Sequence, residues 1–226
     1  YGESKSANYK VTNIRFKIDY TIFDLTYKNL EKKIKKLRNI KLKLLGKHNV
    51  LNAAAAVVVC LNLGVDQNII KKSLQKFSGV QRRMTKIFSK NQNDFYDDYA
   101  HHPTEIMSIL EGVKNVYKDR KIISVFEPHR YTRIMSLKKE FAKSFFNSNL
   151  VLLCPIYAAG EKKKESFNEI EFAKLISRYS KTQVVVISKF KDLEKYFKKN
   201  LISNEIIIGM GAGSISKHMR QLDKVL

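Results

Sequence analysis

The stretch that decides the fold is residues 121–133, KIISVFEPHRYTR, in which an apolar segment runs directly into a polar turn. Three further segments share the apolar character of its first half: 150–154 (LVLLC), 183–187 (QVVVI) and 205–210 (EIIIGM). Strands that are apolar at nearly every position are typical of a parallel sheet covered on both faces. The sequence therefore predicts a Rossmann-like α/β domain with a mostly parallel sheet and helices on both faces. In such folds ligands bind at the carboxyl ends of the strands.

Helical patterns alternate with these strands, and a fifth strand is predicted at 93–98. Helices are predicted at 103–117, 132–146, 168–179 and 191–199, with a last one from near Ser214. The alternation follows the turn SGVQRR at 78–83, so we predict a domain boundary near residues 78–80. On this basis the α/β domain covers residues 79–226.

Residues 1–78 have a different pattern and are expected to form a separate β/α unit. Alternating β-branched and aromatic residues at 9–27 and 38–45 predict three short antiparallel strands. A helix follows over 48–64 and ends at Gly64, which suits a left-handed residue after a helix. Asp66 is the predicted N-cap of a second helix. Its predicted apolar face consists of Ile69, Ile70, Leu74 and Phe77.

The composition is that of a globular chain with a strong positive charge, +22 over 226 residues. The lysines are spread along the whole chain, so we expect no nucleic-acid site, although a positive field attracts nucleotides. No apolar run is long enough to span a bilayer, and Cys60 and Cys154 lie in apolar contexts that predict buried free thiols. We therefore expect a cytoplasmic protein without membrane insertion. The chain begins at Tyr1 without a methionine, which suggests a piece of something longer.

The motif DDYAHHPTE at 97–105 places His101 and His102 between a predicted strand and a predicted helix. Pro103 suits the first position of that helix. Adjacent histidines point to different sides, so at most one is expected to face a common ligand. The structural alternative is that His102 caps the helix while Asp97 and Asp98 end the strand. A zinc site is disfavoured because the two histidines lack the usual helical spacing.

The motif FEPHRYTR at 126–133 carries two arginines, Arg130 and Arg133, three residues apart. At a helix start this spacing lets both reach one anion, and the planar fork of arginine holds a carboxylate or phosphate with two parallel hydrogen bonds. Only nine of the 43 basic residues are arginine, so two of them here are informative. The alternative is a pair of surface arginines in salt bridges.

Two weaker signals fit a nucleotide held between domains. Arg82 and Arg83 lie at the predicted hinge, where solvated charges are an equally good interpretation. His48, Asn49 and Asn52 in GKHNVLN stand at a helix start, where backbone amides bind anions. These residue types are also common at helix caps.

The segment MGAGSI at 210–215 resembles a dinucleotide-binding turn, but its glycine spacing is not G-x-G-x-x-G. We predict a tight turn between a strand and a helix, with amides that face an anion. The chain also contains no G-x-x-x-x-G-K-[ST] phosphate loop.

In this order the motifs resemble those of the Mur ligases of peptidoglycan synthesis, over essentially the whole chain. The matching segments are YGESKSANYK, LLGKHNVLNAAAA, FSGVQRRM, DDYAHHPTEI, FEPHRYTR, PIYAAGE and MGAGSI. The resemblance implies three domains: one for the UDP-sugar, a central ATPase, and a Rossmann-like domain for the amino acid. Residues 1–78 then match the end of the central domain and residues 79–226 the whole last domain. The resemblance also implies that this chain works together with the UDP-sugar domain and with the rest of the central domain.

Within the family the motifs are most similar to the member that adds L-alanine to UDP-N-acetylmuramate. The implied reaction uses ATP and Mg²⁺ to form an acyl phosphate, which the amine of L-alanine attacks. The fragment alone is expected to be inactive, with the metal ligands mainly outside it. Muropeptide ligases share the HHP loop but usually depart at PHRYTR, so they rank second. A non-catalytic nucleotide-binding or nucleic-acid-binding module is a further alternative.

The resemblance also implies roles for individual residues. His101, Arg130 and Arg133 are similar to the catalytic group that positions the carboxylates of the sugar acid and alanine. His102 and Tyr99 lie beside this group as further substrate-binding residues. The implied ATP-binding residues are His48, Asn49, Asn52, Arg82, Arg83, Asp98 and Tyr99.

Overall fold

A computed structural model describes residues 1–28, 32–44 and 46–226 of the chain. These residues form two units, each with its own core. The first comprises Tyr1–Gly79 and Asn115–Tyr117, and the second comprises Val80–Lys114 and Lys118–Leu226.

The first unit contains a three-stranded antiparallel sheet and two helices. Its strands β1 (Tyr9–Phe16), β2 (Thr21–Lys28) and β3 (Ile34–Leu42) lie in chain order, which confirms the predicted strands. β3 begins four residues before the predicted start at Arg38, because its exposed lysines hide the strand pattern. Leu45, the last residue of that prediction, lies outside the described residues. The helices are α1 (Lys47–Asn62) and α2 (Gln67–Lys76).

Asp24 organises the sheet face that points away from the core of the first unit. Its carboxylate accepts hydrogen bonds from Asn13 Nδ2 and from the backbone N–H of Asn39, both at 2.8 Å. Asn13 and Asn39 have positive φ, and the strand register shifts next to each of them. Burial acts to raise the pKa of Asp24, but these bonds and Lys36 hold it below its usual value. The Asp24 carboxylate is therefore hydrogen-bonded to the two asparagines next to which the strand register shifts.

The ends of α1 and α2 agree with the sequence signals. Gly64 has a φ of 77° just after α1, and the N–H of Val65 donates to the carbonyl of Cys60 at 3.0 Å. This is the Schellman arrangement that glycine favours. Asp66 caps α2 by accepting from the N–H groups of Asn68 and Ile69 at 2.9 and 3.2 Å. Both capping predictions are confirmed.

The predicted apolar face of α2 is wrong for two of its four positions. Ile70 is buried, and Leu74 packs half-buried against the same core. Ile69 and Phe77 are 58% and 44% exposed, respectively. The reason is that α2 packs against β3 and α1 along a narrow stripe, so neighbouring apolar positions face outward.

The second unit is built on a six-stranded sheet in the order β4-β5-β9-β6-β7-β8. All pairs are parallel except β4 with β5, so the predicted fold class is confirmed. The strands are β4 (Thr85–Lys90), β5 (Asn93–Asp98), β6 (Lys121–Phe126), β7 (Leu150–Leu153), β8 (Gln183–Val186) and β9 (Glu205–Met210).

Strand β4 was missed because its residues, TKIFSK, lack a fully buried face. It is the antiparallel edge strand and reaches β5 through a two-residue turn at Asn91 and Gln92. Both turn residues have positive φ, 49° and 62°. This is the geometry of a type I′ hairpin turn, which asparagine favours.

Helices cover both faces of this sheet. They are α3 (Pro103–Val116), α4 (Tyr131–Ser136), α5 (Lys138–Lys143), α6 (Glu169–Ser180), α7 (Phe190–Asn200) and α8 (Ile215–Val225). Phe197 of α7 and Met219 of α8 belong to one buried cluster with Val125 of β6. The next residue, Phe126, packs against Phe141 and Phe145. Val125 and Phe126 are consecutive residues of β6 and therefore pack into apolar clusters on opposite faces of the sheet.

The single helix predicted over 132–146 is instead two short helices. Leu137 interrupts the path with φ −115° and ψ 25°. Ser180 then ends α5, because its hydroxyl donates to the carbonyl of Ala142 at 2.7 Å and accepts from the N–H of Phe145 at 3.0 Å. A tertiary contact of this kind leaves no local signal in the sequence.

Two further predictions concern the thiols and the membrane. Both cysteines are free, and Cys154 is buried, but Cys60 is half-buried and not fully enclosed as predicted. Within the described part of the chain, no helix is long and apolar enough to cross a membrane.

The Asp66 cap gives a test of the first unit. Replacing Asp66 with alanine removes an acceptor for two N–H groups of α2, so we expect the free energy of unfolding to fall by about 1 kcal/mol. Asp66→Asn keeps a capping oxygen and should change it by only a few tenths of that. Urea unfolding followed by circular dichroism measures both; equal losses would contradict the capping role.

Candidate functional site

The carboxyl ends of four strands in the second unit lie at one edge of the sheet. β5, β9, β6 and β7 are neighbours and parallel, so the loops that follow them start side by side. These loops contain the predicted motifs DDYAHHPTE, FEPHRYTR and MGAGSI, together with PIYAAGE at 155–161. The edge is where ligands bind in open α/β sheets.

The first loop is held by a capping box at the start of α3. Glu105 Oε2 accepts from the backbone N–H groups of His101 and His102 at 3.0 and 3.2 Å. His102 Nδ1 in turn faces the N–H of Thr104 at 3.4 Å, so the side chain of His102 caps the helix. Pro103 begins α3, as predicted.

His101 points to the other side and is half-buried. Its Nδ1 lies 2.9 Å from the carbonyl oxygen of Tyr99. Because a carbonyl only accepts, Nδ1 carries the hydrogen and donates, which leaves Nε2 as the acceptor in the neutral ring. Glu105 Oε2 lies 3.4 Å from the same Nδ1. The backbone and one carboxylate thus fix the orientation of the His101 ring.

An aromatic row continues from His101 across the strand ends. Tyr99 and His101 contact edge to face with ring centroids 5.3 Å apart, and His101 and His129 do so at 5.9 Å. His129 stacks on Tyr157 at 5.4 Å with an angle of 17°. The sequence did not indicate His129 or Tyr157 as separate site residues. Their motifs, PHR and PIY, were the available signal.

His129 also holds the predicted arginine Arg133. The two side chains meet at 3.3 Å between Arg133 Nη1, which donates, and His129 Nδ1. Burial lowers the pKa of His129, and the positive charges of Arg133, His101 and Arg130 lower it further. His129 is therefore neutral near neutral pH and remains an acceptor for the guanidinium.

Arg130, the second predicted arginine, has a strained backbone at the start of α4. Its φ of 69° is left-handed, which costs a residue other than glycine on the order of 1–3 kcal/mol. The Arg130 N–H donates to the carbonyl of Tyr157 at 2.9 Å, which helps to hold this conformation. The side chain itself is exposed. Strain of this kind is often found at functional sites.

Glu161 lies against the same helix start. Its two carboxylate oxygens accept from the N–H and the hydroxyl of Thr132 at 3.0 and 2.5 Å. These hydrogen bonds keep the pKa of Glu161 below its usual value, and the charge of Arg130 adds to the effect. A fixed carboxylate thus lies at the start of α4, the helix that also carries the two predicted arginines at or near its first turn, although the sequence did not indicate Glu161.

The glycine turn at the end of β9 does face an anion, but the anion is a side chain of the protein. Glu127 accepts from Ser214 Oγ at 2.6 Å and from the N–H of Ile215 at 3.0 Å. Burial raises the pKa of Glu127, although these hydrogen bonds oppose the shift. A Cβ on Gly213 would lie 2.4 Å from Tyr157 Cγ and 2.6 Å from Glu127 Oε2. Only glycine fits between these two side chains.

Arg82 and Asp98, both predicted to contact ATP, point into the second unit. Arg82 Nη2 donates to the carbonyl of Gly211 at 2.5 Å, and its Nε lies 3.7 Å from Asp97 Oδ1. Asp98 accepts from the N–H groups of Met84 and Ala100, both at 2.8 Å. The structure therefore gives both residues a role in fixing loops.

The remaining predicted ATP residues are distributed over both units. Arg83 Nη1 lies 3.9 Å from Glu105 Oε1 and is partly exposed. In the first unit, the opening turns of α1 carry His48, which is half-buried, Asn49, which is buried, and Asn52, which is exposed. Their contact with a nucleotide stays a prediction.

The second unit shows a dense polar site, but a metal centre is not evident. Across residues 1–28, 32–44 and 46–226, no three His, Cys, Asp or Glu side chains are grouped so as to hold a metal ion. Arg130 and Arg133 can bind anions at this edge, and His101 Nε2 is available as a hydrogen-bond acceptor beside them.

Comparisons with known proteins agree with these motifs. The family described as "Mur ligase, glutamate ligase domain" matches residues 82–213. The UDP-N-acetylmuramate–L-alanine ligase of Pelagibacter ubique is 46% identical over the whole chain, which covers 49% of that protein. The chain thus spans about half the length of the curated relatives it matches.

Two solved structures are similar as well. The UDP-N-acetylmuramate–alanine ligase of Thermotoga maritima gives a TM-score of 0.75 at 26% identity, covering 98% of this chain and 46% of that one. The murein peptide ligase of Psychrobacter arcticus gives 0.66 at 22% identity, covering 97% and 44%. At that identity the second comparison shows the fold alone.

The buried carboxyl of Asp98 gives a test by pH. Burial outweighs its two hydrogen bonds and raises its pKa from 3.8 to about 6. The folded chain therefore binds this proton more tightly than the unfolded one. We expect the contribution of Asp98 to stability to be greatest below about pH 4 and to fall as the pH rises through about 6. Carboxyl ¹³C NMR should show this titration in the wild-type chain and lose it in Asp98→Asn; a midpoint near 4 would contradict the assignment.

Proposed function

The chain belongs to the Mur ligase family, and from this membership we propose that it is the C-terminal half of an ATP-dependent ligase joining L-alanine to UDP-N-acetylmuramate. The observation that carries the proposal is the 46% identity, over the whole chain, to a protein named for that reaction. The cationic edge of the second unit suits substrates that carry carboxylates and phosphates. We place the enzyme in the bacterial cytoplasm, where ATP and UDP-sugars are available.

We assign residues 1–78 to the end of the central ATP-binding domain and residues 79–226 to the amino-acid-binding domain. Helix α1 supports the first assignment, because its sequence after Lys47 carries no charge. Val59 and Leu63 on this helix are 58% and 76% exposed. A helix that is apolar on all sides is normally buried. The partner for this face is the rest of the central domain, which follows the UDP-sugar domain in the family.

In the proposed reaction the substrate carboxylate is first activated as an acyl phosphate at the expense of ATP. The ammonium group of L-alanine first loses a proton to water, and the resulting amine attacks the acyl carbon. A C–N bond forms, the bond between the acyl carbon and the phosphate oxygen breaks, phosphate leaves with the electron pair, and the nitrogen loses a second proton to water as the amide forms. Arg130 and Arg133 hold carboxylates, and His101 presents Nε2 as an acceptor to the substrate. Tyr99 lies beside His101 in the site, and His102 supports the site by capping α3. Such a site accelerates the reaction by positioning and by electrostatic stabilisation.

For ATP, we assign Arg83, His48, Asn49, Asn52 and Tyr99 to direct contact. Arg82 and Asp98 act indirectly in this proposal, because their hydrogen bonds to Gly211 and Met84 fix the loops near the nucleotide. The reaction also uses Mg²⁺ in this proposal. We expect its ligands mainly in the rest of the enzyme; among the described residues, no three His, Cys, Asp or Glu side chains are grouped so as to hold a metal ion.

A muropeptide ligase is the second candidate, and the identities favour the first. The alanine ligase relative is 46% identical over the full chain, whereas the murein peptide ligase structure, at 22%, supports the fold alone.

Arg130 gives a test in the complete ligase. We expect Arg130→Lys to lower kcat/KM by roughly 10- to 100-fold, because lysine loses the paired hydrogen bonds to a carboxylate. The matched control is Arg178→Lys on α6, an exposed arginine outside the site, which should leave the kinetics unchanged. Equal kinetics for Arg130→Lys and the wild type would remove Arg130 from the site.

The isolated chain gives a second test. Incubated with ATP, Mg²⁺, UDP-N-acetylmuramate and L-alanine, the 226 residues should form no UDP-N-acetylmuramoyl-L-alanine, because their sequence lacks a phosphate loop. The complete ligase, assayed in parallel by chromatography, is the positive control. Turnover by the isolated chain would overturn the division of labour proposed for the two halves.

A further inference from the structure

An amino acid substrate carries two charges, and the residues assigned so far account for one. Arg130 and Arg133 suit its carboxylate. Its ammonium group repels the two guanidinium groups and needs an acceptor, since an unpaired charge is costly to remove from water. His101 Nε2 is a neutral acceptor, whereas a carboxylate close to the arginines would also supply the opposite charge.

Most acidic side chains near this edge already form hydrogen bonds with other residues of the chain. Asp97, Asp98 and Glu127 are at most 1% exposed and accept hydrogen bonds from neighbouring residues. Glu105 caps α3 and faces Arg83. The first three are enclosed, and the partly exposed Glu105 is already bound to the start of α3 and to Arg83.

Glu161 differs because its carboxylate is both fixed and accessible. A turn with positive φ at Ala159 and Gly160 brings the PIYAAGE loop back, and the Glu161 N–H donates to the carbonyl of Ala158 at 3.0 Å. Thr132 then holds both carboxylate oxygens. Each oxygen has two lone pairs, so each can accept a further hydrogen.

The position of Glu161 relative to the cations is also suitable. Thr132, which holds the carboxylate of Glu161, lies between Arg130 and Arg133 in the chain. The charge of Glu161 acts on His129, and that of Arg130 acts on Glu161. A small zwitterion can therefore meet positive and negative groups at one place.

We propose that Glu161 binds the ammonium group of the incoming amino acid while Arg130 and Arg133 bind its carboxylate. This inference rests on the proposed function and adds the residue that orients the attacking nitrogen. The lowered pKa of Glu161 makes it a weak base. Its role is thus recognition and orientation, not removal of the ammonium proton.

The test is the Glu161→Gln variant of the complete ligase. Glutamine keeps the length and an oxygen for Thr132 but removes the charge. We expect KM for L-alanine to rise about 10- to 100-fold while KM for ATP and for UDP-N-acetylmuramate stays within about twofold. The matched control is Glu165→Gln, an exposed glutamate four residues further along, with no change expected.

Inhibition by L-lactate separates recognition of charge from a structural role. Lactate keeps the carboxylate and methyl group but replaces the ammonium with a hydroxyl. Glu161→Gln should weaken alanine binding and leave the inhibition constant of lactate unchanged or lower. An unchanged KM for alanine, or an equal rise in all three KM values, would overturn the inference.

The outcomes also distinguish this inference from the proposed function. If the wild-type ligase uses alanine and Glu161→Gln binds it normally, the inference alone fails. If the wild type uses another amino acid, the alanine assignment fails. The same comparison with that amino acid then tests Glu161.

Discussion

The in-register pairing of four parallel strands is the constraint on which the site depends. Asp98 of β5, Met210 of β9, Phe126 of β6 and Leu153 of β7 form one continuous row across the sheet. Because this row sits at the carboxyl ends, the loops that carry His101, Arg130, Glu161 and Ser214 all leave the sheet at the same level. Residues as far apart in sequence as His101 and Ser214 thereby reach one surface, which is the general reason why open α/β sheets bind ligands there.

Buried charge then fixes the loops. Asp98 and Glu127 are enclosed almost completely, and an enclosed carboxylate is tolerated only where hydrogen bonds replace water. Asp98 accepts hydrogen bonds from the N–H of Met84, just before β4, and from the N–H of Ala100, after β5. Glu127 accepts from the N–H of Ile215 at the start of α8. Arg130 is held in a strained conformation by a bond to the Tyr157 carbonyl. The loops are therefore organised before a ligand arrives, which suits the positioning role proposed for this site.

Much of the fold was predictable, because apolar runs and helix caps are local signals. Strands β5, β6 and β9 were predicted at their observed bounds, and the start of α3 at Pro103 and the cap at Asp66 were correct. The misses have tertiary causes: the edge strand β4 lacks a buried face, and the helix at 132–146 is ended by Ser180 from a distant segment. The site was predictable by motif, but the partners His129, Tyr157 and Glu161 were not.

The sequence by itself determined the order of strands and helices, the motifs that follow the strands and the family that these motifs resemble. These features depend on residues that are close together in the chain. The tertiary structure decided which of the candidate side chains serve the site and which support it. Arg82 and Asp98 face inward, His102 caps a helix, and Thr132 holds Glu161 at the start of α4. The physical reason is that the direction of a side chain and the burial of its charge are set by neighbours from other strands, and no local pattern records them.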